Sequence, residues 1–274
     1  MLKYIVKRLL LSILILFGVS VIIYTLLRLM PGDYVTRKLT SNPNANITEE
    51  RINAMKEVYG LNDSTIVGYF KWLGKAIRGD FGMSFKYERK VTAVIKDYMW
   101  TSFALTLLSL VIYYPLAIFL GSRAAVKQYG PFDYATTVLT MLGISLPSFF
   151  FSAILIKVFA FDLGWFDTSL GLVSSNLPPT VTDWELFWNK AWHLVLPIVT
   201  VVVLSLGGLM RYTRTNMLEV LNADYIRTAR AKGLPEWAVV WKHGFRTALL
   251  PVVTTILNHI PHIIGGSLIV ERIF

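Results

Sequence analysis

The chain contains no cysteine. That excludes disulfides, thiolate metal centres, a cysteine nucleophile and a lipid-modified N-terminal cysteine. Charge is sparse as well, with 16% of the 274 residues being Asp, Glu, Lys or Arg. The familiar catalytic signatures are also missing. There is no G-x-x-x-x-G-K-[ST] loop to cradle phosphates, no H-E-x-x-H and no G-x-S-x-G. The glycines of Gly79-Asp-Phe-Gly82 follow no strand pattern, so they do not form a nucleotide loop. These absences argue against an enzyme, and no catalytic or metal-ligating residue is nominated.

What the sequence does hold is apolar. Hydrophobic residues make up 54% and aromatics 14%, with a mean hydropathy of +0.54. Such values place the chain among polytopic membrane proteins, and its long apolar runs make it all-α. The 27 Lys and Arg exceed the 17 Asp and Glu, giving a formal charge of +10. In a soluble chain that excess would suggest nucleic acid. In a membrane chain it sets orientation, and no nucleic-acid partner is implied.

Apolar runs predict five spans, Leu9–Leu29, Thr101–Leu120, Ala135–Phe159, Leu194–Met210 and Thr247–Val270. Each is near the ~20 residues needed to cross a bilayer. The first follows Lys3, Lys7 and Arg8 but is longer than a secretory apolar core and lacks a small-residue cleavage site, so it is retained as a span. The polar segment Pro31–Trp100 predicts an extramembrane helical domain. Thr48 caps one helix that Gly60 stops. A second runs from Ser64 or Thr65 to Arg78, burying Val67, Phe70, Leu73 and Ile77, and Gly79 ends it. The expected organisation is therefore 1–30 for the N-terminal end and first span, 31–100 for the outer domain, and 101–274 for the remaining spans with a cytoplasmic loop at 211–246.

The short loops give orientation. With the N-terminus inside, the inner segments hold Lys3, Lys7, Arg8, Arg123, Lys127, Arg211, Arg214, Arg227, Arg230, Lys232, Lys242 and Arg246. The outer loop Phe161–Trp192 sets Lys190 alone against Asp162, Asp167, Asp183 and Glu185. Long translocated segments such as Pro31–Trp100 are exempt from the rule. Five spans from a cytoplasmic start leave Phe274 outside, directly after the last span, and a truncated sequence is the expectation.

Polar groups inside spans are costly and draw attention. Asn258, His259 and His262 flank Pro261 in the fifth span. They read either as the lining of a translocation path or as inter-helix hydrogen-bonding groups. A metal site from His259 and His262 at i, i+3 is a weaker third reading, since no third ligand lies nearby. Pro115, Pro147 and Pro197 punctuate three spans, and Gly207-Gly208 and Gly265-Gly266 permit close packing or bending.

Between the last two spans lies the polar stretch Asn222–Pro235. Asn222 or Asp224 can cap a short helix over Tyr225–Lys232, and Gly233 can take the left-handed stop position before Pro235. Ala229, Ala231 and Gly233 would admit a close neighbour, while Arg227, Arg230 and Lys232 offer it charge. The stretch is read as a docking helix, although these residues alone favour a solvated basic loop. Pro235–Arg246 continues as an amphipathic helix with Trp237, Val240, Trp241 and Phe245 on one stripe, a pattern that packing alone explains.

These residues resemble a known family. Tyr225-Ile-Arg-Thr-Ala-Arg-Ala-Lys-Gly-Leu234 is similar to the coupling loop of binding-protein-dependent ABC transporter permeases, in the first-permease type of the dipeptide/oligopeptide/nickel branch. Pro31-Gly-Asp33, Tyr59-Gly-Leu61, Tyr69-Phe-Lys-Trp-Leu-Gly74, Gly79-Asp-Phe-Gly82, Ser145-Leu-Pro-Ser-Phe149, His193-Leu-Val-Leu-Pro197 and Met217-Leu-Glu-Val220 carry the likeness along nearly the whole chain. Of the family's Glu-Ala-Ala, three residues, Gly pattern, matched at Arg227, Thr228, Ala229 and Gly233, only Ala229 and Gly233 are kept. That departure is usual for the peptide branch.

The resemblance implies an importer permease helix bundle, with a sixth span beyond Phe274, in a bacterial-type cell membrane. It implies alternating access driven through Tyr225–Lys232, with Asp224, Tyr225, Arg227, Thr228, Ala229, Arg230, Ala231, Lys232 and Gly233 forming the ATPase-coupling segment. The implied partners are a second homologous permease, two cytoplasmic ATPase subunits holding ATP and Mg, an external solute-binding protein, and membrane lipid. This chain itself would bind no cofactor. Di- or oligopeptides lead as solutes, with nickel or another small solute as the alternative, and an ATPase-independent channel or secondary transporter as a remoter one. The Asn258–His262 segment is unusual for the branch.

Overall fold

The computed structural model describes residues 1–29, 57, 62–84, 86–168, 171–178 and 180–274. Its regular elements among these residues are helices, with a single isolated bridge between Met83 and Lys90 and no strand among them. The chain forms two compact units, Met1–Tyr98 and Met99–Phe274.

The first unit contains α1 (Leu2–Leu29) and α2 (Thr65–Ala76). No residue of α1 is buried, which suits a helix whose apolar side chains face lipid. Ser64 caps α2 by accepting from the Val67 N–H, and Gly79 turns the chain away with φ 84°. Both boundaries follow the expected signals. The buried face does not. Gly68 and Tyr69 are the buried residues of α2, while Val67, Phe70 and Ile77 are exposed. Tyr69 decides this: its hydroxyl lies 2.8 Å from Ser20 Oγ of α1, and its ring meets Phe17 and Tyr24 edge-on at 5.9 and 5.5 Å. A hydrogen-bonded ring with two edge-to-face partners outcompetes an aliphatic stripe that lipid or another surface can accept. The helix expected over Thr48–Gly60 and the motifs at Pro31-Gly-Asp33 and Tyr59-Gly-Leu61 lie outside the described residues.

The second unit takes up α3 (Val91–Val126) from Met99 onward, followed by α4 (Pro131–Ser145), α5 (Ser148–Leu155) and π1 (Ile156–Asp162). Then come α6 (Asp183–Leu221), α7 (Asp224–Ala231), π2 (Ala238–Gly244), α8 (Phe245–Gly265) and α9 (Leu268–Ile273). Among the described residues, α1, α3 and α6 are each long and apolar enough to cross a membrane. The 39 residues of α6 extend about 58 Å at ~1.5 Å per residue, nearly twice the hydrocarbon thickness.

The third expected span, Ala135–Phe159, is not one straight helix. Its halves bend by 104° between Ser145 and Ser148, and count as a fourth span only if taken together. The cause is local. Pro147 forces Leu146 into an extended conformation, ψ 125°, and cannot itself continue the ladder. The fifth expected span, Thr247–Val270, falls on α8 and α9 and is interrupted where Gly266 adopts φ 64°.

Tyr113, Tyr114 and Ala117 of α3 pack with Val202, Leu209 and Met210 of α6 and Val252 of α8. Gly121 of α3 brings backbones together. A Cβ there would stand 2.5 Å from the Met210 carbonyl oxygen and 2.9 Å from Thr213 Cβ. Of the expected packing pair, Gly207 alone is in close contact, facing the Thr140 backbone of α4, while Gly208 faces open space.

Candidate functional site

The α6–α7 junction is tight. Asn222 ends α6: its N–H bonds back to Leu218 and Glu219, and its side-chain amide donates to the Leu218 carbonyl at 3.0 Å. With Asn222 spent on that helix, Ala223 becomes the N-cap of α7 and makes no side-chain cap. The cap expected from Asn222 or Asp224 is therefore not formed. Asp224 instead occupies the first turn, where its charge suits the positive end of the helix dipole, and lies 3.4 Å from Arg227 Nη1.

The end of α7 follows the expected stop. Gly233 has φ 74°, its N–H bonds to the Arg230 carbonyl at 2.9 Å, and the Leu234 N–H reaches the Ala229 carbonyl at 3.4 Å. This is the paired 5→2 and 6→1 arrangement of a Schellman stop. Eight residues are too few to hold a helix alone. Ile226 and Ala229 bury themselves against Val239 of π2, and the Arg230 guanidinium forks onto Glu236 at 2.7 and 3.1 Å. Beside that guanidinium, the Glu236 carboxyl is held below its ordinary range.

Two expectations change here. Ala229 does not belong to the open face, since it is 9% exposed and packs on its own chain. The segment after Pro235 is not a regular amphipathic α-helix, because it winds as π2 over Ala238–Gly244. The wider turn buries Val239 and Val240 side by side and leaves Trp237 71% exposed, while Trp241 packs on Phe245 at 5.4 Å. Asp224, Tyr225, Arg227, Thr228, Arg230, Ala231, Lys232 and Gly233 form the exposed surface of the segment. Below it, Val240 joins Met217 of α6, Ala125 of α3 and Ala248 of α8 in a second core cluster. The exposed helix thus rests, through two layers of packed side chains, on three of the long helices.

One ion pair escaped the sequence reading. Arg214 of α6 donates Nε to Asp133 Oδ1 at 2.6 Å and Nη2 to Oδ2 at 2.7 Å, and the Tyr129 N–H donates to Oδ2 at 3.0 Å. The Asp133 side chain is 5% exposed. The signal was a carboxylate at the head of an apolar helix, which must find a cation when buried. Eighty-one positions separate the partners, so no local pattern joins them.

Within α8, His259 Nδ1 lies 2.8 Å from the Thr255 carbonyl oxygen and 2.8 Å from Tyr114 Oη. A carbonyl only accepts, so Nδ1 carries the proton and shares it with the tyrosine oxygen. His259 is thereby tied to buried Tyr114 of α3, Asn258 is exposed, and the side chain of His262 lies outside what is described. Among the described residues no group of three His, Cys, Asp or Glu could hold a metal.

Long apolar helices, one broken span and a short anchored helix in a basic loop are the marks of a polytopic membrane protein. Residues 114–274 match the family described as binding-protein-dependent transport system inner membrane component, and residues 1–106 match its N-terminal membrane-component family. The chain is 40% identical over 275 residues to the oligopeptide transport system permease protein AppB of Bacillus subtilis, covering all of this chain and 84% of that protein. It is 34% identical to a putative peptide permease protein of Brucella suis and 33% identical to the oligopeptide transport system permease protein OppB of Haemophilus influenzae, covering all of this chain and 83% of each. The chain belongs to this permease family. It is a multi-pass membrane subunit of an ABC importer, a transport component and not an enzyme, and such importers work with an ATPase and a solute-binding protein.

Proposed function

We propose that this permease imports di- or oligopeptides and that α7 is the element through which ATP hydrolysis drives it. The peptide assignment rests on identity running the full length of the chain to permeases described as oligopeptide or peptide transporters. The coupling assignment rests on one observation: α7 is stopped at both ends, buried on Ile226 and Ala229, and exposed along Tyr225, Arg227, Thr228 and Ala231. A loop that only solvates charge needs no buried anchor and no Schellman stop.

In this reading the N-terminus and α7 are cytoplasmic, in keeping with the Lys and Arg bias of the short loops. The permease pairs with a second homologous permease, and each α7 sits in a groove of one of two ATPase subunits, which hold ATP and Mg. The segment 31–100 contributes to the outer surface that receives the solute-binding protein. Moving an alternating-access equilibrium from 1:99 to 99:1 takes ~5.5 kcal/mol, and a helix fixed to three long helices delivers that where a tether would not.

The test uses Arg227→Glu and Ala231→Glu, both on the exposed face, in the complete transporter reconstituted in vesicles. Both variants should stay in the membrane, lose ATPase co-purification by tenfold or more, and stop uptake of a labelled oligopeptide. Undiminished ATPase association would overturn the coupling assignment. Intact ATP-driven transport of a nickel chelate with no peptide uptake would overturn the peptide assignment alone.

A further inference from the structure

The Asp133–Arg214 pair is one level of a longer attachment between α4 and α6. Going up α4 from Asp133, the next close approaches are at Thr140, whose carbonyl oxygen would be 2.8 Å from a Cβ on Gly207, and at Gly143, whose Cβ would be 3.0 Å from the Val203 oxygen. The partners descend α6 as those positions ascend α4. Asp133 meets Arg214, Thr140 meets Gly207 and Gly143 meets Val203, so the two helices run antiparallel and in register for about 15 Å at ~1.5 Å per residue. Two of the three levels are backbone contacts through a missing side chain, which fix distance but do not resist sliding. The ion pair does. A planar guanidinium held bidentately, with a third hydrogen bond from Tyr129 on the same carboxylate, fixes direction as well as distance.

The position of the pair matters as much as its geometry. Arg214 lies between Met210 and Met217 on α6, in the stretch where Gly121 of α3 presses on Met210 and Thr213. Met217 belongs to the cluster on which π2 and hence α7 rest. On the other side, α4 leads to the 104° break at Leu146–Pro147. The turn between α3 and α4 is the alternative route, and Tyr129 there sits at φ 62°, a left-handed conformation unusual for a side chain. Besides the pair, that turn and the Arg123 guanidinium over the Phe132 ring, 5.4 Å from its centroid, hold the lower end of α4.

We propose that Asp133 and Arg214 are positioning residues for transport: they lock α4 to α6, so that displacement of α7 reaches the broken span and is not absorbed in the α3–α4 turn. This rests on the coupling role of α7 given above. Neither residue touches solute or ATPase in this scheme, and both act through the helices they join.

The test is the ratio of peptide transported to ATP hydrolysed, measured on the assembled transporter in vesicles, for Asp133→Asn, Arg214→Gln and Arg214→Lys. Arg214→Lys keeps the charge but loses the fork. The expected result is a fall of fivefold or more in the ratio for Asp133→Asn and Arg214→Gln, with ATP hydrolysis retained and a smaller fall for Arg214→Lys. A purely architectural pair would lower both activities together, so a ratio changed by less than fivefold in Asp133→Asn and Arg214→Gln overturns the proposal. If the Asn and Gln variants do not assemble, Arg214→Lys decides: a lowered ratio supports the clasp and an unchanged one sinks it. The chain has no cysteine, so Asp133→Cys with Arg214→Cys can be bridged by a short bifunctional thiol reagent, and bridging should restore the ratio. Loss of ATPase association in the α7 face variants together with an unmoved ratio here would leave the α7 reading intact and remove the clasp.

Discussion

Gly207 and Gly208 are adjacent on α6 and should respond to alanine in opposite directions. At Gly207 the new Cβ would lie 2.8 Å from the Thr140 carbonyl oxygen and 3.2 Å from Thr140 Cα. Those atoms are backbone and cannot swing aside, so α4 must withdraw by roughly 0.6 Å to reach ordinary contact, an overpacking that costs about 1–3 kcal/mol. Alanine also recovers ~0.8–1 kcal/mol of helix propensity relative to glycine, leaving Gly207→Ala destabilised by about 0–2 kcal/mol. At Gly208 nothing lies within 4 Å, so only the propensity gain remains. The difference between the two variants is about 1–3 kcal/mol, and it does not depend on the propensity scale. Thermal unfolding of the purified transporter in detergent should place Gly207→Ala a few degrees below Gly208→Ala. Equal midpoints, or Gly208→Ala as the lower one, would refute the reasoning that α4 and α6 touch through Gly207.

Gly233→Ala forces a side chain into φ 74°, at ~1–2 kcal/mol. It should loosen the end of α7 and lower peptide transported per ATP, whereas Gly233→Asn, tolerated in that conformation, should be spared. The Glu236 carboxyl is held below its ordinary 4.5 by the Arg230 guanidinium, so its contribution is complete above that value and is lost as pH falls through the lowered one. An exposed pair is worth ~0.2–1 kcal/mol. The melting difference between the native chain and Glu236→Gln should therefore be small and flat from pH 6 to 8, and should vanish only in acid. Tyr114→Phe removes the hydroxyl that His259 shares at 2.8 Å and should lower stability by ~0.5–1.5 kcal/mol, measured by the same melts.

Local chemistry was legible in the sequence wherever a boundary depends on the residues beside it. The stops at Gly79 and Gly233 and the cap at Ser64 are of this kind, and α7 begins and ends one residue before the expected limits. The choice of N-cap failed because Asn222 had two helices to serve and served the earlier one. Features that need distant partners stayed hidden. Nothing beside Tyr69 announces Ser20, and nothing beside Asp133 announces Arg214. Pro147 was visible as a punctuation mark, but a proline can kink a helix gently or break it, and the 104° outcome depends on where α5 finds its packing against α6 and α9. The class of machine to which the loop belongs was legible in its motifs, and the full-length likeness to permeases shows it.

The length of α6 has a mechanical consequence. A rod of about 58 Å pivoting near one end displaces its far tip by roughly 1 Å for each degree of tilt. If the helices packed at Gly121 and Gly207 move with it, a rotation of a few degrees becomes a shift of several ångströms at Leu221, where α7 is attached. Read in the other direction, a stroke of that size at α7 needs only a slight lean of the helix, so a tightly packed bundle can act as a lever without coming apart.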